Sequence, residues 1–136
     1  MGQQQLLLII LGVIVVGIAV AVGITMFTDN AVSANRDAVT NDMVNLASRA
    51  QQHYRRPASM GGGEGAFDNS RGGTALAVIT QLTSKPTNSN GRYLISNVAA
   101  ATITLRGIGR ELVNGTDSVE VTMRVTADSA VATVVH

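Results

Sequence analysis

The chain has no cysteine and no tryptophan. It has two prolines, two phenylalanines and two tyrosines, and only 14% of its 136 residues are charged. Each shortage excludes something. Without cysteine there are no disulfides, no thiolate metal sites and no thiol nucleophile. With so few aromatics there is no stacking platform for single-stranded nucleic acid. A net charge of +1 gives no field to attract nucleic acid or an acidic ligand. No nucleic-acid partner is therefore expected. His-x-x-x-His, clustered-carboxylate and Gly-x-Ser-x-Gly patterns are all missing, so the sequence offers no metal site, no cofactor and no catalytic residue. The two histidines, His53 and His136, read as solvated surface residues.

Charge is also missing along one continuous stretch. Leu6 to Phe27 spans 22 positions without a charged side chain. As a helix that is roughly 33 Å, which matches a bilayer hydrocarbon core of about 30 Å. A helix apolar on every face must be surrounded by lipid or by protein. A cleaved secretory signal fits poorly, because Met1 to Gln5 carries no Lys or Arg and the apolar run is too long. A simple membrane anchor fits the length, but no basic cluster flanks the segment to orient it; the first Arg is Arg36. Gly12, Gly17, Ala19, Ala21 and Gly23 give small faces, with small-xxx-small pairs at Gly17/Ala21 and Ala19/Gly23. Glycine also weakens helix interiors, so the stretch from Gly12 to Gly23 is where local melting is expected.

Past Phe27 the pattern becomes amphipathic. Val32, Val39, Met43, Leu46 and Ala50 step by 7, 4, 3 and 4, one helical face. Asp29, Arg36, Asp37, Asp42 and Arg49 lie mainly off it. No Gly or Pro occurs between Ile24 and Arg56, and Pro57 then stops the helix. Arg55 and Arg56 mark its C-terminal end, where they favour the dipole.

The start Met1-Gly2-Gln3-Gln4-Gln5-Leu6-Leu7-Leu8-Ile9-Ile10-Leu11-Gly12-Val13-Ile14 resembles the mature N-terminus of type IV pilins and pseudopilins, and also archaeal pilin-like signals. The likeness covers roughly the first 55 residues. It implies a basic leader removed before Met1 and N-methylation of Met1. It implies a filament core built from Gln5, Leu6, Leu7, Leu8, Ile9, Ile10, Gly12, Ile14, Gly17 and Ala21. The partners implied are identical subunits in a homopolymer, the inner membrane before assembly, and a pilus assembly machinery. The implied function is that of a structural, non-enzymatic subunit of an extracellular filament used for attachment or motility. A pseudopilin of a type II secretion system and a single-pass membrane protein with a small binding domain are the alternatives. Three departures stand out. Gln5 replaces the family's Glu, which is held to neutralise the neighbouring N-terminal amine. Val22 and Gly23 stand where the family usually has a proline. The C-terminal disulfide loop of many members is impossible here.

The remaining residues suggest a small head. Gly61-Gly62-Gly63-Glu64-Gly65 and Arg71-Gly72-Gly73 read as a surface linker, not a phosphate loop, since no Gly-Lys-Ser/Thr follows. Thr74 to Leu82 fits a short helix capped by Thr74, with Leu76 and Ile79 inward, or a strand. From Gly91 the period becomes two. Val119, Val121, Met123 and Val125 alternate with polar residues, as do Ile103 and Leu105. A phase shift at Gly107-Ile108 suggests a bulge. Asn114-Gly115 and Ala127-Asp128 read as turns, and Tyr93 to Ile95 and Ala130 to Val135 as outer strands. Asn114-Gly115-Thr116 is also a formal glycosylation sequon, but the hairpin turn is the favoured reading of these residues.

The expected fold is α+β: a long N-terminal helix, apolar and then amphipathic, packed on a C-terminal antiparallel meander of about four strands. Its parts are an apolar helix (1–27), the amphipathic continuation (28–56), a Gly-rich region (57–90) and the sheet (91–136).

Overall fold

A computed structural model describes residues 2–136. One helix, α1 (Gly2–Arg55), runs for 54 residues, roughly 80 Å. It passes through Gly12, Gly17 and Gly23 without a break. It ends just before Pro57, where the ring restricts Arg56. The buried face of its second half carries Val39, Met43, Leu46 and Ala50, as the spacing predicts, with Val32 partly covered. Ala47 and His53 are buried there too.

The sheet follows as β1 (Gly91–Val98), β2 (Thr102–Val113), β3 (Asp117–Thr126) and β4 (Ala130–Val134). The spatial order is β1-β2-β3-β4, antiparallel throughout. The architecture is α+β, a single long helix laid on a four-stranded meander. Ile103, Leu105, Val119, Val121, Met123 and Val125 face the helix, where Val39 and Met43 meet them with no exposed surface. Each such fully buried side chain stabilises the head by about 1.5–3 kcal/mol. Asn114 (φ 58°) and Gly115 (φ 75°) turn β2 into β3, a left-handed backbone that Asn and Gly accept most readily. Ala127-Asp128 joins β3 to β4, closed by the Thr126 N–H donating to Ser129 O at 2.8 Å.

Three expectations need correction. The phase shift at Gly107-Ile108 is not a bulge. Gly107 pairs with Val121 and Ile108 with Glu120 in regular register, and the irregularity lies further on, between Ile108 and Leu112. Gly107 and Gly109 simply occupy inward positions. The helix passes so close that a Cβ on Gly107 would lie 2.7 Å from Val39 Cγ1 and 2.8 Å from Met43 Sδ.

The Gly-rich stretch is more than a surface linker. It folds back to satisfy carbonyls that the end of α1 leaves open. Gly63 N–H donates to His53 O (2.8 Å), Gly65 N–H to Tyr54 O (2.7 Å) and Glu64 N–H to Arg56 O (3.0 Å). Phe67 and Leu76 then drop into the core with no exposed surface. Close backbone packing demands the glycines: a Cβ on Gly73 would sit 2.6 Å from Gly62 O.

Thr74 to Leu82 forms neither a full helix nor a strand, only a 3-10 turn at Ile79–Gln81. Leu76 is buried and Ile79 partly so. Thr74 gives its backbone N–H to Gly62 O (2.9 Å).

Candidate functional site

The assembly residues expected from the sequence all lie on α1, and all are exposed: Gln5, Leu6, Leu7, Leu8, Ile9, Ile10, Gly12, Ile14, Gly17 and Ala21. Met1 lies outside the described residues. From Leu6 to Phe27, 16 large apolar side chains are 53–76% exposed. At about 1.5 kcal/mol each or more, leaving them in water would forgo roughly 24 kcal/mol. That exceeds the whole stability of a typical domain, about 5–15 kcal/mol. Such a segment does not stay in water. α1 is the only helix among the described residues long and apolar enough to cross a membrane. Its hydroxyls are turned inward on the helix itself: Thr25 Oγ1 donates to Ala21 O (3.1 Å) and Thr28 Oγ1 to Ile24 O (3.0 Å). A Cβ added at Gly12, Gly17 or Gly23 would meet nothing within 4 Å. These glycines therefore serve no packing purpose inside the subunit; they leave shallow, open helix surface.

The head holds α1 by polar ties on both flanks. On one, Asp42 Oδ2 accepts hydrogen bonds from Tyr93 OH (2.6 Å), Asn88 Nδ2 (2.8 Å) and Asn90 Nδ2 (2.8 Å). Asn35 extends this clasp, donating to Asn90 O and accepting from the Arg110 N–H. Arg49 Nη1 donates to Leu82 O (2.8 Å). On the other flank Gln51 Nε2 donates to Thr126 O (3.1 Å) and Arg55 Nη2 to Ala127 O (3.2 Å). Partial burial alone would raise the Asp42 carboxyl, but the donors from Tyr93, Asn90 and Asn88 outweigh it and hold it below the usual carboxylate value. Burial pushes the Tyr93 hydroxyl well above its ordinary value, and the bond to Asp42 and the Asp42 charge add to this. A carboxylate held ionised by three donors is suited to positioning, not to carrying protons.

The clasp was not legible in the sequence. Asp42 reads as one more residue off the apolar stripe, and its partners lie 46 to 51 positions away.

His53 also departs from expectation. It is 9% exposed, not solvated, and its Nδ1 has no hydrogen-bond partner. Burial, then the nearby Arg56 charge, keeps its pKa below the ordinary histidine value.

Asn114 sits at the exposed β2–β3 turn. Among the described residues no three His, Asp or Glu side chains gather as metal ligands. The uncovered helix is thus the feature of this chain most in need of a partner. Set against protein-family models, curated proteins and solved structures, the chain matches none.

Proposed function

We propose that the chain is the structural subunit of a type IV pilus-like filament, assembled by packing its apolar helix against the same helix of neighbouring copies. The observation that carries this reading is the unbroken α1. Its first half is uncovered and apolar on all sides, and its second half is the spine of the head. A flexible linker would suffice for a simple tether. A rigid continuation instead fixes each head relative to its own shaft, as an ordered polymer requires.

Before assembly Leu6 to Phe27 lies in the cytoplasmic membrane. Assembly replaces its lipid contacts with helix–helix packing, so the segment never meets water. Gly12, Gly17 and Ala21 let helices approach closely. Gln5 brings an amide that can hydrogen-bond within the core without a charge. The head domains form the sheath of an extracellular filament on the cell surface, serving attachment or motility. An assembly machinery in the membrane supplies the work of extraction.

Electron microscopy of sheared surface material, with mass spectrometry of the subunit N-terminus, tests this. Filaments of the chain with a processed, methylated first residue are expected. Leu8→Asp should abolish them, because a carboxylate inside the packed core costs several kcal/mol or more. Normal filaments from Leu8→Asp would refute the packed core. Monomers or dimers in detergent, with no polymer on cells, would favour a single-pass membrane protein instead.

A further inference from the structure

We propose that the two flanks of α1 on the head form the two halves of a head-to-tail contact between neighbouring copies. The groove bearing Arg49, Arg56 and Lys85 receives the β3–β4 turn of the next copy, with Asp128 at its tip. This rests on the filament reading and adds which surfaces of the heads meet.

Helical spacing defines the flanks. Asp42 and Arg49 step by seven and share one side of α1, and Arg56, just past the helix end, lines a groove with Arg49. Hydrogen bonds from Asn88 to Asp42, and from Arg49 to Leu82 O, fix that side against residues 82–93. Two open polar grooves run along it and adjoin at Arg49. The first, about 360 Å³, is lined by Asp42, Lys85 and Tyr93 among others, and the second, about 250 Å³, by His53 and Arg56. The Asp42 carboxylate is already engaged by three donors. The exposed charges left over are Arg49, Arg56 and Lys85, all cationic. The backbone edge on this side is partly covered, since Tyr93 N–H donates to Pro86 O at 2.8 Å and Thr87 bridges Arg92. The groove therefore offers side chains more than a free strand edge.

The opposite flank is different in kind. Asp37, Val44 and Gln51 also step by seven, and Gln51 fixes their side against the β3–β4 turn. β4 lies here. Ala132 and Val134 pair with Met123 and Val121, which point into the core, yet all of β4 is exposed. The helix leaves it open to solvent. Val44 on α1 (52% exposed) and Val134 on β4 (49%) are both uncovered apolar side chains. The Asp128 side chain stands 93% exposed at the turn, and Asp37 is exposed lower on the same flank. The weak contact from Arg55 to Asp128, at 3.7 Å between two exposed groups, adds little and leaves Asp128 free to engage elsewhere.

A polymer that grows in one direction needs two different, complementary patches on each subunit. One flank offers a groove whose exposed charges are all cationic. The other carries exposed apolar side chains with Asp37 and Asp128, and Arg55 beside Asp128. Pairing two copies of the grooved flank would set like charge against like charge, whereas Asp128 brought to that groove meets cations. Asp128 contacts Arg55, which adjoins Arg56 in the chain, with Arg49 roughly 9 Å lower along the helix axis. A neighbour with a small axial offset therefore brings it to the groove.

The test uses the full-length chain expressed in filament-forming cells, with polymer measured in the sheared fraction. Three variants are compared with wild type: Arg56→Glu with Lys85→Glu, Asp128→Lys, and all three changes together. Each charge-reversed flank should lower polymer yield by about tenfold or more, because like charges then face each other. In the combined variant the charges are inverted on both sides, so yield should return to within roughly threefold of wild type. Lys85 lies on an exposed loop, so Lys85→Glu alone carries the test if the double change harms folding. Wild-type yields from the single-flank variants, or no recovery in the combined one, would overturn the contact while leaving the filament reading intact. Absence of polymer from wild type would overturn both.

Discussion

Gly107→Ala tests how the helix is seated on the sheet. Gly107 is buried in the middle of the sheet, paired with Tyr93 on β1 and Val121 on β3. Its backbone is not in the left-handed region, so alanine can adopt it without strain. Two effects oppose each other. Replacing glycine reduces the freedom of the unfolded chain and stabilises by about 0.4–1 kcal/mol. The new methyl, however, would lie 2.7 Å from Val39 Cγ1 and 2.8 Å from Met43 Sδ. Met43 can bend away, but Val39 is branched next to a helical backbone and cannot. Overpacking of this kind costs about 1–3 kcal/mol. The clash should win, for a net loss of roughly 0.5–2 kcal/mol. Thermal and urea unfolding of the full chain in detergent, followed by tyrosine fluorescence, reads this directly. Tyr93 is 3% exposed and reports on the head. A fall in melting temperature on the order of 5 °C is expected. Val39→Ala removes the blocking methyls. The double variant should therefore cost less than the sum of the two single changes, by about 0.5 kcal/mol or more. Neutral or stabilising behaviour of Gly107→Ala, or strict additivity with Val39→Ala, would refute the close-approach reasoning.

Two further predictions concern the polar groups of the head. Asp42→Asn should lower stability at neutral pH by about 1–3 kcal/mol, because it removes the charge that three donors serve. The folded-state pKa of Asp42 is depressed, so its contribution is present above the ordinary carboxylate value, near 3.8, and lost as pH falls below it. Acid unfolding of Asp42→Asn should accordingly be less steep than that of wild type; an unchanged acid limb would refute the clasp. His53 is held neutral in the fold, with its pKa below 6.5. The unfolded chain then takes up the proton first, and the stability tied to His53 is lost as pH drops below about 6.5. Stability of His53→Gln, measured by urea unfolding between pH 8 and pH 5, should vary less with pH; an identical slope would refute it.

The parts of the fold legible in sequence are those with strict period. Val119, Val121, Met123 and Val125 announce β3, and the stripe from Val39 to Ala50 announces the helix face that covers it. The bulge expected at Gly107-Ile108 is absent; a glycine at an inward position only looks like a break in apolar alternation. Only the three-dimensional approach of α1 shows that the space has to be empty. The Gly-rich cap failed for a related reason. Gly63 and Gly65 matter through their backbone N–H groups, which carry no signature in side-chain patterns. β4 was legible as a strand but not as an uncovered one, since Ala132 and Val134 alternate as though a helix lay over them. The apolar segment is the opposite case. Leu6 to Phe27 could be read from sequence as needing a cover, and the structure leaves it without one inside the subunit.

The chain's lack of cysteine makes the most direct test of the filament core a clean one. Single cysteines are introduced by Ile10→Cys and Gly17→Cys, and intact sheared filaments are treated with a water-soluble thiol reagent before and after the subunits are separated by denaturing detergent. The filament account predicts that both thiols are protected in the intact filament and labelled once the subunits are separated. Filaments that assemble with these cysteines, yet leave both open to the reagent, would contradict a core built from the apolar helix.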